Sequence, residues 1–523
     1  MGRLRHLMIG AGLVGTMFLT AGTDYFEEAL PTTMNPLFGR TMVDHRTHEL
    51  IFDRLFYRSA VTNELRSRLV QSFQVLESGK KLKLVFKSGV KWHDGKPFSA
   101  DDVCFTVDAL LNPKTATSNA KVYREAIAGC ESDVKANSVT IAFRKIYHNP
   151  RERVSFHVLP KHKFQSTVIS ATDDFSLRPI GTGAMKGSKG RREVQFNGYA
   201  NVHHSSKISQ LQLKEGGDPF VQVRTLINAG VQGVVAVAPS LRTEVAASDD
   251  VALKSYDLRS WWFIAVNTTM GPMANKKVRQ ALNVSIDRSE LRELTIGADK
   301  DDPNPPCEFI SGPFVQSSPY YNRQIKVVER SDRARAKSLL EQAGATKAAG
   351  RWTMDGQPIT LKLGMNAPLD IEAKDLLNQI GNQMQAVGLD RSVYKVTADD
   401  WNSKAVTGQM TNDFNLLIGK WSFGMVEDVN PIFHTRTGGK GEYNIFNYTN
   451  PDVDKILTRF ERARTDTEAR DAYHDLHTKL DDELAYIFLW KLDTKSAWRN
   501  EIRNNIISPY FYFTEFDGWS HQQ

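Results

Sequence analysis

Between His93 and Asp102 the chain carries a histidine, three aspartates and a serine, inside the stretch VKWHDGKPFSADDVCFTV that begins at Val90. Such side chains are the material of acid–base or nucleophilic catalysis, provided that His93 and Asp94 meet a nucleophile or a metal at hydrogen-bond distance. Their spacing argues for another use. Asp94-Gly95 is a turn pair and Pro97 keeps the chain extended. Ser99, three residues before Asp102, makes a capping box for a helix whose apolar residues are Val103, Val107, Leu110 and Leu111. We therefore read the polar residues as a turn and a helix start.

Other candidates fail on pattern. His45, His48 and Glu49 in DHRTHEL have metal-ligand chemistry but not the HExxH order. Leu50, Ile51 and Leu55 supply that helix's apolar face, so the histidines are expected on a solvated one. The same solvated reading is expected for His203-His204 and for His474 with His477. PIGTGAMKGSKG is glycine-rich and basic, yet it closes with no Gly-Lys-Ser/Thr and misses GxGxxG by one residue. No G-x-S-x-G elbow and no CxxC occur, so neither a catalytic constellation nor a metal site is expected. Trp261-Trp262, Trp401 and Trp421 offer the large aromatic surfaces that line ligand clefts, or ordinary core.

The elements that would hold these residues are mixed. Leu82, Leu84 and Phe86 alternate with lysines as a half-buried strand, and Val139, Ile141 and Phe143 line another. Asp287 with Glu290, Asn450 with Pro451, and Thr465 with Glu468 mark helix starts. No fixed-period repeat and no strict βα alternation appear. With 523 residues, two or three α/β domains are expected.

Arg3 and Arg5 precede an apolar run from Leu7 to Leu19 and then small residues, the pattern of a signal peptide cut near Thr23. No cysteine follows that run, so lipid attachment is not expected. Removing residues 1–22 takes Arg3 and Arg5 from a net charge of +7 and leaves +5, spread along the chain without a basic stripe for nucleic acid. Of three cysteines, Cys104 and Cys130 are the only pair close in sequence; an odd count leaves at least one thiol free.

LKLVFKSGVKWHDGKPFSADDVCFTVDALLNPKTA resembles the signature segment of the family 5 extracellular solute-binding proteins, the periplasmic dipeptide, oligopeptide and nickel receptors of ABC importers. ALPTTMNPLF and HELIFDRLF resemble the family's opening, and VLPKH, RPIGTGAM, WWFIAVNTTMGPMANKKVRQALNVSIDR, SGPFVQSSPYYN, KWSFGMVEDVNPIFH and YTNPDVDKIL resemble later family segments, all in family order. The resemblance implies a two-lobed α/β periplasmic binding protein, type II and cluster C-like, with a small domain inserted in the first lobe. Residues 1–22 would be the signal peptide. Residues 23–45, 160–267 and 490–523 would form lobe one, 46–159 the inserted domain and 268–489 lobe two. It implies a monomeric receptor, not an enzyme and without a cofactor, that captures peptides or peptide-like solutes in the periplasm and passes them to an inner-membrane permease.

The family's amine-binding aspartate falls in a Trp-Ser-x-Asp pattern, and here that place is Gly424, with Glu427 and Asp428 following. Losing the charged partner of a ligand ammonium would cost about 2 kcal/mol or more. A non-peptide solute, such as a metal chelate, an oligosaccharide or an opine-like molecule, is therefore the alternative. Position by position, the resemblance puts Asn35, Pro36, Trp261, Asn267, Trp401, Trp421, Ser422, Gly424, Glu427 and Asp428 at the cleft.

Overall fold

The computed structural model describes residues 22–59, 62, 64–147, 149–256, 259–297, 306–423, 427–438, 440–507 and 512–522. The expected signal peptide lies outside the described residues, apart from Gly22.

Two sheets organise the chain. A seven-stranded sheet runs in the order Val251–Tyr256, Thr494–Arg499, Gly233–Val234, Thr23–Glu27, Gln210–Glu215, Glu193–Gly198, Met185–Lys189. Thr23–Glu27 is parallel to both of its neighbours. A five-stranded sheet runs Asp390–Val396, Thr360–Asn366, Leu416–Ser422, Ser260–Val266, Tyr486–Phe488. The chain passes from the first sheet to the second between Tyr256 and Ser260, and returns after Phe488 by way of Trp490–Leu492, which pairs with Cys307–Phe309, to reach the first sheet at Thr494. On either side of this passage the two crossing segments pair antiparallel, Val251–Tyr256 with Thr494–Arg499 and Ser260–Val266 with Tyr486–Phe488. This gives a two-lobed α/β architecture joined by two strands.

Ser260–Val266 is buried along its whole length. Trp262, Ile264 and Val266 pack into one core and Trp261, Phe263 and Ala265 into another, on opposite faces of the sheet. A strand covered on both faces needs a continuous apolar run, which explains the adjacent tryptophans.

The small domain is a four-stranded antiparallel sheet in the order Val70–Leu76, Lys81–Phe86, Ser138–Phe143, Ile127–Asp133. Leu82, Leu84, Phe86, Val139, Ile141 and Phe143 are buried, as the alternation requires. The helix Ala100–Leu111 packs on this sheet and is fastened to it by a Cys104–Cys130 disulfide with Cα atoms 5.2 Å apart; Cys307 is free and buried. Among the described residues, no helix is long and apolar enough to cross a membrane.

Helix starts follow their sequence signals. Ser99 and Asp102 form the capping box, Asn450 caps Pro451–Arg462, and Thr465 caps Asp466–Glu483. Asp287 accepts from the Glu290 N–H, but the regular helix there spans only Arg288–Leu291 before the turns widen.

Candidate functional site

The His93 stretch has a structural occupation for each polar group. The Gly181 N–H donates to His93 Nδ1 (3.2 Å), and Nε2–H donates to the Gly183 carbonyl (2.9 Å). The backbone N–H of His93 donates to Gly181 O at 2.9 Å. Burial pushes the imidazole down to about 4, so the ring is neutral and both nitrogens are used. Gly181 and Gly183 sit against the Ile51 backbone, where a Cβ would collide with the peptide group. HDG and PIGTG are thus two halves of one clamp. Asp102 Oδ2 accepts from the Ser99 N–H and from Trp92 Nε1, and Oδ1 from the Lys161 N–H.

The histidines expected on solvated faces are largely buried, which corrects that reading. His48 is 0% exposed and binds Thr33 O; His477 is 0% exposed and bonds Ser311 Oγ and the Asn322 N–H. His203 and His204 both turn inward onto Asp53. Helical periodicity marked the apolar stripe but not the polar partners brought by distant segments.

At the crossing between the lobes a different group assembles. Ser260 pairs with Ser422 and Trp261 with Trp421 across the two antiparallel strands. Just ahead, Arg259 adopts a positive φ of 41° and its carbonyl accepts from the Phe423 N–H. Its Nη1 lies 3.2 Å from Glu427 Oε2, which also accepts from Ser318 Oγ at 2.8 Å. Asp428 is half-buried; its Oδ1 accepts from the backbone and side-chain amides of Asn430, both at 3.0 Å. Trp421 stands 5.5 Å, ring to ring, from Tyr443.

The small domain faces this group. Lys121 pairs with Glu442, and Lys145 Nζ lies 3.9 Å from Glu461. Arg153 lies over the Tyr147 ring at 4.9 Å. Burial raises the Tyr147 and Tyr473 phenols, and the negative charge of Asp428 reaches and further raises both. Charges of both signs meet here: Glu125 on the small domain also acts on Tyr147, and Lys440 of lobe two shares Glu461 with Lys145. The opening segment is tied to the same side: Thr117 Oγ1 donates to Leu37 O and Asn119 Nδ2 to Gly39 O.

The structure brings Trp421, Ser422, Glu427 and Asp428 together and separates others from them. Asn267 follows the far end of Ser260–Val266, beside Leu416, about 20 Å from Ser422 at ~3.3 Å per residue. Its Nδ2 donates to Thr411 O and Phe414 O, and its Oδ1 accepts from Thr269. It has no polar atom left for a solute. Trp261 is 0% exposed among Phe263, Phe423, Phe433 and Phe488, a core residue rather than a cleft wall. Trp401 is buried against the strand at Gly419, where a Cβ would strike its ring. Asn35 is buried, and its Oδ1 accepts from the Leu37 N–H in the turn that Asn35-Pro36 begins. Gly424 lies outside the described residues. Arg259, Ser318, Tyr147, Arg153, Lys121, Glu442 and Tyr443 were not found from sequence. Arg259 had one weak signal, a cation next to the crossing strand.

The family described as bacterial extracellular solute-binding proteins, family 5 Middle, matches residues 64–443. The oligopeptide-binding protein AppA of Bacillus subtilis is 22% identical over 488 residues, covering 88% of this chain and 84% of its own. Among solved structures, NikZ of Campylobacter jejuni in complex with Ni(L-His) superposes with a TM-score of 0.77 at 21% identity, over 95% of this chain and 99% of that one. NikA of Brucella suis in complex with Fe(III)-EDTA gives a TM-score of 0.82 at 18% identity, over 96% and 99%.

Proposed function

Since the chain belongs to the family 5 bacterial extracellular solute-binding proteins, we propose that it captures a peptide or peptide-like solute between its lobes and delivers it to the permease of an ABC importer. The observation that carries this reading is the convergence at the crossing strands. Trp421 with Tyr443, Ser422, Arg259, Glu427 and Asp428 face Lys121, Tyr147 and Arg153 across the lobes. Hinge closure over a ligand is the motion such an arrangement serves. The lobe boundaries in this reading fall at the sheet switch, near 256–260 and 488–494. In this reading the receptor acts in the periplasm, exported by a cleaved signal peptide.

Asp428 serves the ligand ammonium in place of the carboxylate that Gly424 lacks. Glu427 is already matched by Arg259 and Ser318, whereas Asp428 accepts only from neutral amides in the contacts described above. The relatives divide between oligopeptide (AppA) and metal chelates (Ni(L-His), Fe(III)-EDTA). The test is a thermal-shift and calorimetric screen of peptide pools against Ni(L-His) and Fe(III)-EDTA. Saturating ligand raises the midpoint by mass action. Free-amine peptides should bind, and Asp428→Asn should weaken them about 30-fold, the equivalent of ~2 kcal/mol, while sparing N-acetylated ones. A shift with chelates alone refutes the peptide reading.

A further inference from the structure

We propose that Asp53, His203 and His204 bind a divalent first-row transition cation such as Zn2+, at a site where the start of the inserted segment meets lobe one, apart from the solute cleft. One ligand atom from each residue lies within 4.8 Å of the others. His203 Nε2 is 2.8 Å from Asp53 Oδ2, and His204 Nε2 is 3.1 Å from Asp53 Oδ1. Small side-chain rotations would bring the three atoms to about 2.1 Å from one centre. Two imidazoles and one carboxylate suit zinc, cobalt, nickel or copper rather than calcium or magnesium. Three protein ligands leave coordination positions open.

The surroundings match what a metal site needs beyond its ligands. His204 Nδ1 lies 2.8 Å from Asp517 Oδ2, so a carboxylate orients the ring and fixes Nδ1 as the protonated nitrogen, leaving Nε2 for the cation. Asp517 is itself held by Arg68, whose Nε is 3.4 Å away. Asp53 Oδ2 accepts from Thr182 Oγ1 at 2.8 Å, which fixes the ligating carboxylate. The side chains of His203, His204 and Asp53 are 1%, 4% and 3% exposed, whereas Asp517, which holds His204, is 23% exposed. His203 Nδ1, also buried, has no hydrogen-bond partner among the described residues, so Asp53 on Nε2 is the contact that sets this ring's tautomer, and a cation would have to displace the Nε2 proton. The site would staple the segment after helix Met42–Ile51 to the loop after strand Glu193–Gly198 and, through Asp517, to the chain end.

The competing arrangement is an ion pair alone, with a protonated His204 between two carboxylates. Tag-free full-length protein, stripped with chelator and then dialysed free of it, distinguishes the two. Titration with Zn2+ should give one ion per chain, a midpoint that climbs with the logarithm of free Zn2+, and, with Co2+, a visible d–d spectrum from nitrogen and oxygen ligands. His203→Ala should abolish both the stoichiometric binding and the spectrum. Asp517→Asn should weaken binding roughly 10–100-fold. His162→Ala, on a surface histidine paired with Asp94, and Asp428→Asn should leave it unchanged. If His203→Ala fails to fold, His203→Gln serves in its place, and the wild-type Co2+ spectrum stands as an independent readout. No binding by the wild type, or binding that survives loss of His203, overturns the proposal and leaves an ion pair.

Discussion

Replacing His93 by alanine separates a structural clamp from an active site. The substitution leaves the Gly181 N–H and the Gly183 carbonyl without their side-chain partners. Each buried orphan costs about 1–3 kcal/mol. Truncation of a ring that is 4% exposed adds a cavity term. The expected loss is therefore about 3–5 kcal/mol. His93→Gln, whose amide can donate to one glycine and accept from the other, should recover more than half. A second signature comes from titration. The folded ring is held at about 4, against about 6.5 unfolded, with Lys186, Asp53 and His204 the charged groups that act on it. Because the folded value is depressed, the wild type keeps this stability above pH 6.5 and loses it as pH falls towards 4, by ~1.4 kcal/mol per pH unit. Buried His157 and His477, also near 4, add similar slopes. Both His93 variants should lower the acid-side slope by about one proton. The assay is thermal and urea unfolding from pH 4 to 7, with solute affinity measured on the same samples. A loss below ~1 kcal/mol, or a well-folded variant whose solute affinity falls more than tenfold, would refute the clamp.

Arg46 and Glu27 form a bidentate pair at 2.7 and 2.8 Å with side chains 3% and 0% exposed; Arg46→Met strands a buried carboxylate and should cost about 3–5 kcal/mol by thermal unfolding, with much of it restored by adding Glu27→Gln. The Cys104–Cys130 disulfide closes a loop with a sequence separation of 26, so Cys104→Ser with Cys130→Ser should destabilise by about 3 kcal/mol in urea titrations. Cys307, buried and pushed up to about 12, should stay unreactive to thiol reagents until unfolding. Lys121→Glu places like charges against Glu442 across the lobes and should weaken solute binding two- to fivefold, with the swap Lys121→Glu plus Glu442→Lys restoring it in calorimetry.

Local rules were legible in the sequence because their causes are local. The Ser99–Asp102 box, the Asn450 cap and the alternating strands needed only neighbours within a few residues, and each formed. The family segments, in their order, implied the two lobes. What failed had distant causes. His203-His204 sits among polar residues and reads as solvated, yet Asp53 and Asp517, brought from far along the chain, draw both rings inward. Trp261 looked like a cleft wall by motif position, but a strand covered on both faces has no exposed side to offer. Asn267 had the right chemistry at the wrong end of its strand. No spacing rule links Arg259 to Glu427, because their contact exists only after the second sheet has formed.

That contact sharpens what Gly424 means. With no carboxylate at that position, a sequence count leaves two acids close behind it to compensate. Glu427 is 4% exposed, with a guanidinium and a hydroxyl already on one oxygen. A ligand ammonium would have to compete with Arg259 in a desolvated setting, where breaking an existing ion pair costs more than the new one returns. Asp428, by contrast, accepts from the backbone and side-chain amides of Asn430 in the contacts described above, with no cation among them. On the proposed reading the two acids divide the work: Glu427 pairs with Arg259 beside the crossing strand, and Asp428 would supply negative potential to the space between the lobes. Under the proposed function, solute selection would rest on whether a cationic group can reach Asp428 with Trp421 and Tyr443 beside it, which would place specificity a few residues downstream of the Trp-Ser motif.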